Sequence, residues 1–158
     1  MRRSPERILR DAGVAFVVHE HVPVATVAEI LVALPFPAEE HVKTLAFDAD
    51  GRVALVALRG SDRVRYGPLA RALGVARDRL AALPSDRVRA ELGMEPGGIC
   101  PLVADPRVVV VVDRHVIDME RAFCGSGRND ATLEIAPADL IAASRATVVD
   151  LAAEAAGA

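Results

Sequence analysis

The sequence predicts an α+β fold: one domain, residues 1–158, built on a mixed, mostly antiparallel sheet or barrel flanked by helices. Three observations carry that expectation. Capped helical segments and β-branched runs are interspersed with no strict strand–helix–strand repeat. An Asp50-Gly51 pair joins two apolar runs, as in a hairpin. The chain has 158 residues of 52% hydrophobic content, enough for one well-filled core. Aromatic residues make up only 3% and tryptophan is absent, so the core must be packed from Val, Leu, Ile and Ala.

The elements follow in chain order. Ser4-Pro5-Glu6 reads as an N-cap with proline at the first helical position, opening a helix to about Ala12 that Gly13 stops. Val14 to His19 has the β-branched and aromatic content of a strand. Thr26-Val27-Ala28-Glu29 is a capping box, in which hydroxyl and carboxylate each reach an orphan backbone N–H. Its helix should run to about Leu34, closed by Pro35 and Pro37. Val42 to Asp48 and Arg52 to Leu58 are the hairpin strands. Pro68 to Leu73 predicts a helix ended by Gly74, and Ser85 starts another that ends at Gly93. Val108 to Asp113 barely alternates, which predicts a strand buried on both faces. Leu133 to Ile135, Ala138 to Ala143 and Thr147 to Asp150 read as strand, helix and last strand, with a fraying alanine-rich tail after Leu151.

Composition narrows the function. A net charge of −3 and a pI near 5.8 argue against a protein held to nucleic acid by nonspecific phosphate contacts. Arg59, Arg63 and Arg65 are either a local phosphate-binding patch or a solvated turn. Cys100 and Cys124 are too few for a disulfide framework. The N-terminus lacks the apolar stretch of a signal peptide, and no apolar run approaches bilayer length, so a cytoplasmic location with no membrane partner is expected. Histidines 19, 21, 41 and 115 show no zinc-type spacing with one another or with the cysteines, so no metal and no cofactor are expected. No Gly-x-Ser-x-Gly elbow occurs, and Cys100 has no neighbouring base.

Three segments can carry chemistry. Glu95-Pro96-Gly97-Gly98-Ile99-Cys100-Pro101 places two glycines between prolines. Such a loop can turn successive N–H groups into one concavity, forming an oxyanion hole from main chain alone; it can equally be an ordinary double turn. Lys43 is the only lysine beside 18 arginines, set among apolar neighbours before Thr44. Its compact ammonium suits a carbonyl, carboxylate or phosphate oxygen, although a surface strand position would also hold it. Cys124-Gly125-Ser126-Gly127 is a small-residue loop that admits close approach of a ligand or simply turns a hairpin.

In this order, Lys43-Thr44-Leu45, then Gly97-Gly98-Ile99-x-Pro101, then the Gly125–Gly127 loop, the sequence resembles the YbaK/ProX aminoacyl-tRNA deacylases, related to the editing domain inserted in bacterial prolyl-tRNA synthetases. His21, Thr26 and Glu29 also match a His-x4-Thr-x2-Glu pattern of ProX-like members. The resemblance spans about Ile8 to Leu151. It implies a hydrolase acting on mischarged tRNA without metal, cofactor or covalent intermediate, with prolyl-tRNA synthetase as a partner. Lys43 and the Gly97, Gly98 and Ile99 amides would act on the ester. His21, Thr26, Thr44, Cys100, Pro101, Gly125, Ser126, Gly127 and Thr132 would bind substrate. Against the cysteine-removing branch, His19 stands for a tyrosine, Thr132 lies near an acidic position, and Cys100 replaces a common serine, so Cys, Ala or another small residue remains open as the amino acid removed. A non-catalytic module of the same fold, holding tRNA, a nucleotide or a synthetase, is the alternative.

Overall fold

A computed structural model describes residues 2–153. The elements are α1 (Pro5–Asp11), β1 (Phe16–Glu20), α2 (Val27–Ala33), β2 (Val42–Ala49), β3 (Arg52–Arg59), β4 (Arg63–Val64), α3 (Tyr66–Leu73), β5 (Leu80–Ala82), α4 (Ser85–Arg87, continued as a π-helix over Val88–Leu92), β6 (Val109–Asp113), β7 (Ala122–Gly125), β8 (Ala131–Ile135), α5 (Pro137–Ser144), β9 (Thr147–Val149) and β10 (Ala152–Ala153).

The caps act as their chemistry demands. Ser4 accepts from the Arg7 N–H at 3.2 Å to start α1, and Thr26 accepts from the Glu29 N–H at 3.1 Å to start α2. The Glu29 carboxylate accepts from the Thr26 hydroxyl itself, at 3.1 Å, and not from a backbone N–H as a reciprocal capping box would have it. Asp50 and Gly51 both adopt positive φ, 53° and 91°, which gives the β2–β3 hairpin a turn whose twist suits the strands.

The main sheet has the order β5-β2-β3-β6-β9. Its β5–β2 and β2–β3 pairs are antiparallel, while β3–β6 and β6–β9 are parallel. A second sheet, β1-β8-β7, is antiparallel throughout, and β4 pairs with β10. The architecture is α+β and mixed, as expected, with open sheets rather than a closed barrel. Central strands β3 and β6 are buried on both faces because helices and the second sheet cover both sides of the main one. One core packs α1, α4, α5 and the second sheet against one face. The other packs α3 and Leu151 against the opposite face.

Three strands appear where loops were expected: β4, β5 and β7. Cys124 and Gly125 thus end a strand, and only the residues after them form the turn into β8. Helix α3 begins two residues before Pro68. The expected frayed tail is paired at its start, since Ala152 and Ala153 lie against Val64 and Arg63; its remainder lies outside the described residues.

Candidate active site

Strands β2 and β7 meet at a bridge between His41 and Phe123, and their pairing goes no further. Beyond that bridge a cleft of about 400 Å³ opens along the edge of β2, bounded by the segment before α2, the 96–99 loop, the end of β7 and the start of β8. The cleft brings together Lys43, Thr44, His21, Thr26, Gly97, Ile99, Gly125 and Thr132. It does not take in Gly98, Cys100, Pro101, Ser126 or Gly127, which lie behind it.

The 96–99 loop is shaped by close main-chain packing. A Cβ on Gly97 would sit 2.2 Å from the Val24 carbonyl oxygen, and one on Gly98 would sit 2.1 Å from the Arg128 carbonyl oxygen. A Cβ on Gly125 would come within 2.2 Å of the Ile99 carbonyl oxygen. None of the three has positive φ. Their requirement is therefore space, and the torsional freedom expected from the sequence is not used. The Gly98 N–H donates to the Glu95 C=O at 2.8 Å, and the Gly98 C=O accepts from the Gly127 N–H at 2.7 Å. The Cys100 N–H points to the Met94 thioether, 3.4 Å away. Pro96, Gly97 and Ile99 are the loop residues on the cleft wall; Pro96 has no N–H, which leaves the Gly97 and Ile99 amides, without a main-chain acceptor among the described residues, as the candidates for a ligand.

The remaining residues predicted for substrate have structural duties. Cys100 is fully buried beside Cys124, burial pushes its thiol well above the ordinary range, and it does not line the cleft. Pro101 is buried next to it. Ser126 donates to the Ala131 C=O at 2.6 Å, tying the β7–β8 turn. Gly127 supplies the positive φ, 92°, of that turn. Thr26 lines the cleft but spends its hydroxyl on the α2 cap.

Lys43 and Thr44 leave β2 on opposite faces, so the cleft wraps the strand edge. The Lys43 ammonium donates to the Asp62 C=O. Burial lowers its pKa below that of an ordinary lysine; the Asp62 carboxylate opposes this and Arg63 adds to it. Asp62 is itself buried and held by Arg59 through two bonds of 2.8 and 3.0 Å. Arg65 is likewise engaged, with Asp150 and the Leu151 C=O. Of the expected basic cluster, Arg63 and Arg65 are exposed, and Arg65 is exposed although paired.

On the far wall the His21 Nδ1 lies 2.8 Å from the Val22 C=O, which can only accept, so the proton resides on Nδ1. The His21 Nε2 pairs with the Thr132 hydroxyl, 2.9 Å away. Two buried polar atoms in the cleft lining, Thr44 Oγ1 and His41 Nδ1, have no partner among the described residues. Desolvation, with the Lys43 charge second, lowers the His41 pKa to about 4, so the ring is neutral near pH 7. Nothing in the sequence pattern singled out His41, whose ring fits only because Gly60 lacks a Cβ: one there would sit 2.3 Å from Nδ1.

Among the described residues one group, Asp62, Asp113 and His115, has the donor types and proximity for a cation. Its carboxylates are already committed. Asp62 serves Arg59, while Asp113 accepts from the Leu151, Ala152 and His115 N–H groups at 2.8, 2.9 and 3.0 Å. A second groove, about 890 Å³, lies behind the 96–99 loop and is lined by Arg2, Arg3, Arg107, Arg128 and, from the β7–β8 turn, Ser126 and Gly127. It is larger, but three of its arginines are paired with Asp11, Asp105 and Glu6. The smaller cleft is the one that holds Lys43 and the 96–99 loop.

Comparison with known proteins identifies the family. The proline–tRNA ligase of Bacillus subtilis (strain 168) is 32% identical over 111 residues, which is 70% of this chain and 19% of the ligase. The corresponding ligase of Desulfitobacterium hafniense is 30% identical over 105 residues, 66% of this chain and 18% of the ligase. The chain thus spans about a fifth of the length of these curated relatives. The crystal structure of the hypothetical protein APE2540 superposes with a TM-score of 0.82 at 29% identity, covering 94% of this chain and 98% of the other. A structure proposed to be a trans-editing enzyme for prolyl-tRNA synthetase shares the fold, with a TM-score of 0.77 at 23% identity and 92% of each chain covered. The description "aminoacyl-tRNA editing domain" matches residues 21–143, a stretch that contains the whole cleft, and the chain belongs to that family.

Proposed function

We propose that this protein is a cytoplasmic aminoacyl-tRNA deacylase that acts in trans, removing a small amino acid such as Cys or Ala from mischarged tRNA(Pro). The observation that carries this reading is that Lys43, Gly97 and Ile99 line one cleft. Water attacks the ester carbonyl carbon and gives up a proton, so that the amino acid leaves as the free acid. The C–O bond to the ribose breaks, and the departing oxygen takes up a proton. The two amides receive the carbonyl oxygen as it gains charge; one such donor is worth roughly 3 kcal/mol in the transition state. Lys43 holds ester or terminal-nucleotide oxygens by a charge-assisted contact. No side-chain nucleophile is needed, which agrees with a buried Cys100 and a Ser126 spent on its turn.

A cleft of about 400 Å³ is at the small end for ligand sites, which favours small acyl groups. Steric exclusion works against larger residues, whereas small ones differ by only about 1–3 kcal/mol per methylene. The names of the proline–tRNA ligase relatives support tRNA(Pro). The net charge of −3 predicts weak hold on tRNA alone, so prolyl-tRNA synthetase is the proposed partner.

The test is ester loss from a panel of mischarged tRNAs, with Lys43→Ala beside the parent. Turnover of small-amino-acid esters on tRNA(Pro), cut on the order of a hundredfold by Lys43→Ala with an unchanged melting curve, is expected. If no ester is hydrolysed while tRNA or synthetase still binds, the protein is a non-catalytic binding module.

A further inference from the structure

We propose that the open edge of β2 reads the Watson–Crick edge of a 6-aminopurine through the Thr44 C=O and the Ala46 N–H; this deepens the deacylase reading of the same cleft and rests on it. The argument begins with hydrogen-bond parity. The Gly60 N–H donates to the His41 C=O at 2.8 Å, and the register continues through Lys43↔Leu58 and Leu45↔Val56. In an antiparallel ladder alternate residues exchange bonds with the partner, so odd-numbered residues of β2 bond to β3 and even-numbered ones turn their main-chain groups the other way. On that other side the Ala46 C=O accepts from the Leu83 N–H at 3.0 Å, and β5 continues the pairing from Phe47. At the opposite end His41 bridges to Phe123. Between these two closures the Thr44 C=O and Ala46 N–H have no strand beside them, and both residues line the cleft.

The size of the gap selects the occupant. From Val42 to Ala46 is about 13 Å of strand, too short for an extended peptide to add a strand but long enough for one flat ring. A C=O and the N–H two residues later on one edge present an acceptor and a donor side by side. Adenine offers the complement, an N6 amino donor next to the N1 acceptor. A 6-oxopurine offers an acceptor and an N1–H donor in the reverse order, so both positions repel. The buried, unpartnered Thr44 hydroxyl adds a third polar group at this place. Ile30 and Ile99 supply apolar cover for the ring within the cleft.

The test uses the intact chain and three ligands bearing the same non-hydrolysable 3′-alanylamide: 3′-amino-3′-deoxyadenosine, its purine analogue lacking the 6-amino group, and its inosine analogue. Affinity is measured by calorimetry and the Ala46 amide followed by NMR. The purine analogue is expected to bind roughly tenfold more weakly, and the inosine analogue on the order of a hundredfold more weakly. The Ala46 amide proton should move downfield with the adenosine and purine compounds, which share the N1 acceptor, and not with the inosine one. Equal affinities, or an unmoved Ala46 amide, would overturn the edge reading and leave ester hydrolysis standing. Discrimination among the three with no ester hydrolysed on any charged tRNA would instead remove the deacylase reading and keep the edge. Failure of all three to bind would remove both.

Discussion

Gly97→Ala is the sharpest perturbation of the proposed oxyanion site, because its consequence can be worked from one distance. The added Cβ would lie 2.2 Å from the Val24 carbonyl oxygen, with the Val24 carbonyl carbon and the Ala25 Cα at 3.2 and 3.3 Å. All three neighbours are main chain, so no side chain can swing aside. Contacts below 3.0 Å are not tolerated, so the loop must retreat by about 1 Å in a densely packed surrounding. Overpacking of this kind costs about 1–3 kcal/mol of stability, a fall in Tm of roughly 2–12 °C for a chain of this size. A displacement of about 1 Å at a positioning element costs on the order of a hundredfold in rate. The assay is single-turnover deacylation well below the melting transition, with Gly67→Ala as control, since the nearest atom to a Cβ there is a flexible Arg71 nitrogen at 3.7 Å. The control should behave as the parent. If Gly97→Ala melts lower yet cleaves within about twofold of the parent, the position of the 97–99 amides does not govern the rate and the reasoning fails.

Three further outcomes are expected. Because the folded His41 pKa, about 4, lies below the ordinary 6.5, the unfolded chain takes up that proton first; stability is full above about pH 6.5 and declines between there and pH 4, by up to roughly 3 kcal/mol. Denaturant titrations of His41→Phe should show that slope flattened; an undiminished slope would place its origin elsewhere. Asp62→Asn removes the carboxylate that raises the Lys43 pKa, so the alkaline limb of the deacylation pH profile should move to lower pH, and a stationary limb would show that Lys43 does not set it. Asp113→Ala strands three backbone N–H groups, two of them at buried Leu151 and Ala152. It should cost about 3 kcal/mol or more and lower Tm by roughly 6–12 °C; a change within a degree in calorimetry would contradict that accounting.

Much of the fold was legible because its signals are local. Ser4, Thr26, Gly74 and Gly93 mark helix ends by capping and left-handed torsion, and Asp50-Gly51 marks the hairpin. Strands β4, β5 and β7, two to four residues long, carry too little periodicity to stand out. The cleft was half legible. Lys43 and the Gly97-Gly98 pair are conspicuous residues, but what the glycines admit, the carbonyls of Val24 and Arg128, lies far away in sequence. His41, Asp62 and the Thr44–Ala46 edge gain meaning only through sheet register and burial. Ser126 and Gly127 look like a ligand loop in sequence yet tie a turn, because small residues serve both purposes equally well.

The claim on which the rest depends is that the Gly97 and Ile99 amides receive the scissile carbonyl while Lys43 shares the same cleft. A crystal structure with the 3′-alanylamide of 3′-amino-3′-deoxyadenosine bound tests it most directly. The account predicts the amide carbonyl oxygen about 2.7–3.1 Å from both nitrogens, with the Lys43 ammonium reaching a ligand oxygen. A carbonyl turned away from the 97–99 loop, or a ligand seated in the arginine-lined groove behind it, would contradict the account.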